Sequence, residues 1–299
     1  MDICEAMMVR RSVRTYSNKQ MPDEMLSRLA EFFNKTDRLN DLSVRLVLMP
    51  AREVEHAMTG LVGSYGSIKN APIYAIGISE KGENDQVNFG FATEQFILEC
   101  TREGLGTCWI GGFFKASLLD QAVPKNDNER IICVSPLGYG AKRRFAERTM
   151  RALGGLNTRK PLAERVFYNR WGQPATEFLT SRPKLLQTFE LARWAPSASN
   201  KQPCHYVVDQ SLIVLAILGS PQSNYPSFVM RGRPRHLNYP RIDAGIAMCH
   251  IHLAAKELGI KGKWTLDFVE PTLRKKYRIE DDAQIVGVFE FEGLRSQPQ

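Results

Sequence analysis

The sequence predicts an α+β fold in which two tandem α/β sandwich halves pack against each other as an internal pseudo-dimer. The first observation is a repeat: residues 88–109 (NFGFATEQFILECTREGLGTCW) and 243–264 (DAGIAMCHIHLAAKELGIKGKW) align at an offset of 155 with five identities. Chance would give roughly one identity in such a window. The second observation is that helix-like and strand-like segments alternate in each half, as in layered α/β units. We therefore expect one half over residues 1–150 and another over 151–299.

Each repeated segment predicts a long helix that ends at a glycine, Gly104 or Gly259, in the left-handed conformation that closes a helix. An earlier helix opens in each half at 21–24 (MPDE) or 182–185 (RPKL), with a proline near its first turn. Strand-like runs complete the pattern at 44–48, 131–134, 204–208 and 285–288. Each half is thus predicted as helix, strand, helix, strand, and the basic stretch 142–160 as the link between them.

Composition and charge limit the classes of function. The chain has 299 residues, of which 43% are hydrophobic and 24% charged, which is typical of a folded globular protein. The net charge of +8 is spread along the chain, so nucleic acid and membrane surfaces are not expected as partners, whereas a phosphorylated small molecule is compatible. The longest apolar run, 212–218, is far shorter than the ~20 residues of a membrane helix. The N-terminus lacks the pattern of a secretory signal, and we expect a cytoplasmic protein.

Cysteine and histidine give no sign of a metal site. The six cysteines are scattered, without a CxxC pair or a zinc-type spacing to histidine, and are expected to be reduced. His250 and His252 lie two residues apart on the second repeated helix, so their side chains face different ways. Roles in the core or on the surface are expected for them, not catalysis.

The first motif is the segment RRSVRTY at 10–16, which places three arginines and a serine within five residues. Asp2 is expected to cap a short helix that leads into it. Guanidinium groups are planar and permanently charged, which suits the oxygens of a terminal phosphate. The same residues also suit the solvated basic end of a helix. The local pattern leaves both interpretations open.

The second motif is the segment ARWAPSASNKQP at 192–203. The helix before it must break ahead of Pro196, because a residue preceding proline avoids helical dihedrals. The loop that follows is dense in donors and acceptors, which can bind the edge of a heterocycle or a polyol chain. Since proline, serine and asparagine are also usual turn residues, the pattern alone favours an ordinary helix-to-strand turn.

Together these motifs resemble the signatures of the FMN-dependent nitroreductase family. The segment 10–16 resembles the opening of such proteins, and 195–203 (APSASNKQP) resembles their second signature. The segment 104–113 (GLGTCWIGGF) resembles the third, which lies against the isoalloxazine ring. The segment 159–162 (RKPL) is similar to the basic segment that ends a family subunit and reaches the FMN phosphate. The arrangement also resembles a fused, two-halved branch, the TM nitroreductase type.

The resemblance implies an FMN site built from both halves. The arginines and serine of the first motif would bind the phosphate and ribityl chain. Gly111 and Gly112 match the place where a backbone N–H meets flavin N5, where glycine allows close approach. Residues 196–200 match a loop that the partner subunit supplies in family homodimers, and Lys69 lies slightly out of register with a family lysine. The implied cofactor-binding residues are Arg10, Arg11, Ser12, Arg14, Lys69, Trp109, Ile110, Gly111, Gly112, Arg159, Pro196, Ser197, Ala198, Ser199, Asn200 and Gln202.

The signatures are divided between the halves, so only one complete site is expected. Residues 33–43 (FNKTDRLNDLS) stand where the first half would need a Pro-Ser-x-x-Asn loop. In the second half, 164–171 (ERVFYNRW) replaces the phosphate motif, and Trp264 is followed by Thr-Leu-Asp instead of two glycines. The resemblance therefore predicts one FMN per chain and a folded monomer.

The resemblance implies an NAD(P)H oxidoreductase with ping-pong transfer to a small-molecule acceptor such as a nitroaromatic or a quinone. The cofactor would carry the chemistry, and no side chain is predicted as a catalytic acid or base. An FMN carrier or redox sensor without turnover is the alternative. The segment 221–240 matches no family signature. Its basic run 231–236 (RGRPRH) suits a mobile loop, a cover for the site or a contact to the 2′-phosphate of NADPH.

Overall fold

A computed structural model describes most of the chain. The described residues are 1–54, 56–58, 68–112, 114, 116–141, 158–218 and 237–292. The predicted link between the halves, up to residue 157, lies outside them, and so does the basic run at 231–236.

The first half forms a four-stranded antiparallel sheet with helices around it. Its helices are α1 (Ile3–Val9), α2 (Asp23–Asn34), α3 (Ala51–Val54), α4 (Asp85–Arg102) and α5 (Ala116–Ala122). Its strands are β1 (Val44–Pro50), β2 (Ile73–Glu80), β3 (Gly106–Thr107) and β4 (Glu129–Gly138). The strand order is β1-β2-β4-β3, and every neighbouring pair is antiparallel.

The second half forms a five-stranded sheet. Its helices are α6 (Thr176–Thr180), α7 (Pro183–Ala192), α8 (Tyr239–Glu257) and α9 (Glu270–Tyr277). Its strands are β5 (Val166–Tyr168), β6 (Cys204–Val208), β7 (Leu212–Leu218), β8 (Gly262–Thr265) and β9 (Ala283–Phe291). The order is β5-β6-β7-β9-β8, in which β5 is parallel to β6 and the other pairs are antiparallel.

The α+β class and the expected helices and strands are confirmed, but the predicted order within each half was wrong. Each half contains one further central strand, β2 or β7, between the strands that the sequence suggested. These strands are buried along almost their whole length. Their apolar residues therefore run continuously, without the alternation that marks a half-buried strand.

The two halves share one strand order, since β6-β7-β9-β8 repeats β1-β2-β4-β3. Both central pairs also carry a register shift, at Gly77/Ile78 and at Leu215/Ala216. Gly104 and Gly259 close the two repeated helices with φ values of 76° and 71°, as predicted. The repeat in the sequence thus corresponds to a repeat in topology.

The two repeated helices, α4 and α8, cross at Gly90 and Gly245, which are identical positions of the internal repeat. A Cβ on Gly90 would lie 2.3 Å from the carbonyl oxygen of Ile242, and one on Gly245 would lie 2.0 Å from that of Val87. Glycine is therefore required on both helices for the backbones to approach this closely. This crossing joins the halves through a shared core, and it brings side chains of α8 against the first half.

Candidate functional site

The first motif lies between two other parts of the predicted site. The side chain of Asp2 caps α1 in a capping box with Glu5, and the chain then becomes extended. The backbone N–H of Val13 donates to the carbonyl of Thr107 at 2.8 Å, and that of Lys69 donates to the carbonyl of Arg14 at 2.8 Å. The structure therefore brings the arginine motif, Lys69 and the start of the glycine-rich segment together.

The side chains of this motif differ in burial. Arg10 is buried at 9% exposure, and its Nε lies 3.8 Å from Oε1 of Glu94. That Nε has no hydrogen-bond partner among the described residues. Ser12 and Arg14 are half-buried, whereas Arg11 is exposed. The motif thus combines a buried cation with two polar side chains within reach of solvent.

The glycine-rich segment is fixed on both sides. Ile110 is buried and exchanges two backbone hydrogen bonds with Val134, at 3.0 and 2.9 Å. The hydroxyl of Tyr239 donates to the carbonyl of Gly111 at 2.5 Å. A Cβ on Gly111 would lie 2.5 Å from the Tyr239 ring, so a larger residue would displace α8 or the segment. Gly112 is buried beside it.

The second motif has an unusual backbone. Ser199, Asn200 and Gln202 have positive φ values of 53°, 55° and 51°. Non-glycine residues rarely adopt this left-handed conformation, and clusters of them are typical of functional sites. The loop is braced from within by the Ser197 hydroxyl, which accepts from the backbone N–H of Gln202 at 2.8 Å. An ordinary turn would not need three such residues.

Helix α8 joins the two segments across the halves. The carboxylate of Asp243 accepts from the backbone N–H of Ala198, at 3.0 and 3.1 Å from its two oxygens. Tyr239, which bonds Gly111, lies one helical turn before Asp243 and therefore on the same face. One face of α8 thus positions the glycine pair of the first half beside the loop of the second. Trp109 and Ala198 also pack against one hydrophobic cluster.

Arg159 contacts the second motif. Its Nη1 donates to Oδ1 of Asn200 at 3.0 Å, and its guanidinium lies 5.4 Å from the centre of the Trp194 ring. The backbone N–H of the next residue, Lys160, donates to Oε1 of Gln202 at 2.9 Å. The basic segment that follows the first half therefore supports the loop of the second.

A cavity beneath this loop is lined mainly by apolar side chains and carries charges of both signs. It encloses about 480 Å³, part of it open to solvent, and its polar lining consists of Ser197, Gln202, the cations Lys160, Arg165 and Arg193, and the carboxylate of Asp243. Burial and the neighbouring Arg165 lower the pKa of Lys160. Because Arg193 is paired with Glu190, Lys160 and Arg165 are the lining cations that suit an anionic group of a ligand.

The counterpart of the loop in the first half, residues 33–43, differs in backbone conformation. The side-chain oxygen of Asn88 accepts from the backbone N–H of Leu39 at 2.8 Å, much as Asp243 does at the same position of the other repeated helix. No residue of 33–43, all of which the structure describes, has a positive φ. The anchor is shared, but the left-handed loop exists in one half.

Three residues that contact the predicted motifs were missed by sequence reasoning: Glu94, Tyr239 and Asp243. Glu94 offered no clear signal, because the same helix carries Asp85, Glu99 and Arg102, and only the structure shows that Glu94 is fully buried. The prediction that His250 and His252 face different ways is confirmed. His250 is fully buried, whereas Nε2 of His252 bonds Oδ2 of Asp37 at 2.9 Å near the surface.

The six cysteines are free thiols. Within the described residues, no group of three or more His, Cys, Asp or Glu is placed to bind a metal ion. Of the helices that the structure describes, none is both long and apolar enough to cross a membrane.

A protein-family model described as "putative TM nitroreductase" matches residues 2–255 of the chain. Among solved structures, a "putative nitroreductase" from Thermotoga maritima MSB8 superposes with a TM-score of 0.55 at 18% identity, covering 97% of this chain and 94% of that one. A nitroreductase family protein from Clostridium novyi NT gives 0.40 at 18% identity, with coverages of 59% and 98%. A nitroreductase with bound FMN from Bacteroides fragilis NCTC 9343 gives 0.37 at 20% identity, with coverages of 48% and 94%. No curated protein sequence matches the chain.

Proposed function

We propose, since the chain belongs to the "putative TM nitroreductase" family, that it is an FMN-dependent oxidoreductase with one flavin site between its two halves. The observation that carries the proposal is the double contact of α8. Tyr239 bonds Gly111 in the first half and Asp243 bonds Ala198 in the second. The residues that resemble the two sides of a flavin site are thereby brought to one face of one helix.

The side chains present fit FMN. A phosphate monoester requires permanent cations and hydroxyl donors, which Arg10, Arg14 and Ser12 supply, with Arg11 beside them. The Arg10 cation is buried beside the carboxylate of Glu94, with Nε 3.8 Å from Oε1, so its position is fixed before a ligand binds. The loop around Asn200 has three left-handed residues, a backbone that is typical of functional sites and not of a regular turn.

We assign the binding roles as follows. The first motif binds the phosphate and the ribityl chain, and Lys69 contributes beside Arg14, to whose backbone it is bonded. The backbone of 109–112 would meet the ring, and residues 196–200 with Gln202 would bind the cofactor from the second half. Arg159 acts by supporting Asn200.

When bound, FMN would supply the redox chemistry, the transfer of electrons from NAD(P)H to a second substrate. The protein binds and orients the cofactor, and the cationic first motif favours its anionic phosphate. The acceptors that suit this chemistry are nitroaromatics and quinones. We assign no side chain as a general acid or base.

One measurement tests the proposal. The purified chain is saturated with FMN, unbound flavin is removed by gel filtration, and the visible spectrum is recorded before and after anaerobic addition of NADPH or NADH. We expect about one flavin per chain, bleaching by the nucleotide and recovery of the yellow colour on adding a quinone. Flavin that stays oxidised would instead indicate a carrier or sensor, and no bound flavin would contradict the proposal altogether.

A further inference from the structure

Glu94 and His250 form a fully buried pair between the two halves. Nε2 of His250 on α8 lies 3.0 Å from Oε1 of Glu94 on α4, and both side chains are 0% exposed. Burying an ionisable pair carries a desolvation cost that hydrophobic residues of similar size would avoid. Its presence between α4 and α8 therefore calls for a role other than packing.

Both ring nitrogens of His250 face acceptor groups. Nδ1 lies 3.3 Å from the carbonyl oxygen of Leu191, and Nε2 lies 3.0 Å from the carboxylate of Glu94. The imidazole is therefore held on both sides, by α7 of its own half and by α4 of the other.

The same carboxylate contacts both motifs of the first half. Oε2 of Glu94 accepts from the indole N–H of Trp109 at 2.7 Å, and Oε1 lies 3.8 Å from Nε of Arg10. On the other side, His250 contacts Leu191 in the last turn of α7, the helix that leads into the 196–202 loop. Glu94 and His250 thus connect the phosphate motif, the glycine-rich segment and the loop of the second half.

The counterpart positions lack this charged pair. The offset of 155 places Cys249 opposite Glu94 and Gln95 opposite His250. Gln95 bonds the backbone N and O of Asp37 at 3.1 and 3.0 Å. The indole of Trp264, the counterpart of Trp109, donates to the carbonyl of Met248 at 2.9 Å. The groups at these counterpart positions are neutral, and the His252–Asp37 pair on that side lies near the surface. The fully buried ionisable pair stands on the side that carries the flavin-like motifs.

We infer that Glu94 and His250 are positioning residues for the flavin: they fix Arg10 and Trp109 relative to the 196–202 loop. This inference rests on the proposed function. Neither side chain contacts the cofactor in this role. Each acts through the groups that it orients, so its loss lowers the affinity for FMN and alters the environment of the bound ring.

The test uses two variants and a matched control. His250→Gln introduces the residue of the counterpart position, and Glu94→Gln keeps an acceptor for the Trp109 indole but removes the charge. Gln95→Leu is the control, since it removes the equivalent anchor at the same depth on the other side. The Kd for FMN is measured by flavin fluorescence well below each thermal midpoint, and the visible circular dichroism of the bound flavin is recorded.

We expect the Kd to rise about tenfold in both variants, because Arg10 and Trp109 lose their common anchor. The double variant should resemble the single ones, because the residues act as one unit. Gln95→Leu should lower the thermal midpoint but leave the Kd within about twofold. If Glu94→Gln fails to fold, His250→Gln carries the test.

Folded variants that bind FMN with the wild-type Kd and spectrum would overturn the inference alone. A rise in Kd for Gln95→Leu equal to that for His250→Gln would also overturn it, because the effect would then be general loosening of the helix crossing. A wild-type chain that binds no FMN would overturn the proposed function, and the inference with it.

Discussion

Arg14 lies where the arginine motif, Lys69 and the start of the glycine-rich segment meet. Its backbone carbonyl accepts from Lys69, and its neighbour Val13 donates to Thr107. We expect Arg14→Ala to weaken FMN binding about tenfold or more, because a charge-assisted hydrogen bond contributes ~1.5–3 kcal/mol. The measurement is a fluorescence titration of the apoprotein. Arg28→Ala is the control, since Arg28 is exposed and paired with Glu103 on the surface. Equal affinity in wild type and Arg14→Ala would remove Arg14 from the site.

The lowered pKa of His205 predicts that the protein loses stability in mild acid. Burial and the adjacent Arg165 lower its pKa from the ordinary 6.5 to about 4. Its Nδ1 faces the carbonyl of Pro203 at 3.0 Å and its Nε2 faces Arg165, so the folded chain binds the neutral ring. The unfolded chain takes up a proton near pH 6.5 and the folded chain only near pH 4. The contribution of His205 to the free energy of unfolding is therefore fully present above pH 6.5. It is lost as the pH falls from 6.5 toward 4.

Urea unfolding at pH 7.5 and pH 5.0 measures this effect. With the two pKa values above, His205 alone should lower the free energy of unfolding by roughly 2 kcal/mol between these pH values. His205→Gln keeps an acceptor for Arg165 but does not titrate. Between the two pH values, the free energy of unfolding of this variant should therefore fall by roughly 2 kcal/mol less than that of the wild type. Parallel losses in the two proteins would show that His205 does not control the pH dependence.

At the scale of elements, the sequence predicted best where local chemistry decides the structure. The ends of α4 and α8 followed from Gly104 and Gly259, because a left-handed cap requires glycine. The strands β2 and β7 were missed, because burial on both faces removes their alternation.

In the candidate site, too, local residue patterns could be predicted from the sequence and contacts between distant segments could not. The motif segments were visible as residue patterns. The backbone N–H of Lys69 donates to the carbonyl of Arg14, and the role of the Lys69 side chain in binding stays a prediction. Tyr239 and Asp243 were not visible as site residues, because their contacts to Gly111 and Ala198 arise only when α8 crosses the other half. Helical periodicity marks such residues as facing inward and does not show what they meet there.

The crossing of α4 and α8 gives a prediction at the same scale. In Gly245→Ala the new Cβ would lie 2.0 Å from the carbonyl oxygen of Val87, so the two helices must separate. We expect a loss of about 3 kcal/mol in the free energy of unfolding, at the upper end of overpacking effects.

Gly104→Ala is the matched control, because its Cβ would meet nothing within 4 Å. Only the positive φ opposes this substitution, which costs about 1 kcal/mol. Urea unfolding followed by circular dichroism compares them, and an equal or smaller loss for Gly245→Ala would mean that the helices adapt.

At the scale of the whole molecule, two halves with one strand order differ in what they carry. Asn88 and Asp243 anchor equivalent loops, but only the loop that Asp243 anchors contains left-handed residues. The arginine motif and the glycine pair stand in the first half, and that loop stands in the second. A complete set of motifs therefore forms once, across an interface inside the chain.

This asymmetry predicts about one FMN per chain and a monomer in solution. Light scattering coupled to gel filtration gives the mass, and flavin absorbance after release gives the stoichiometry. Asn200→Ala removes the side chain that bonds Arg159 at 3.0 Å and Thr158 at 3.1 Å. We expect it to weaken FMN binding about tenfold without changing the mass, because the interface that it serves lies within one chain. Two flavins per chain, or a dimer that dissociates in Asn200→Ala, would place the site between chains instead and contradict the single internal site.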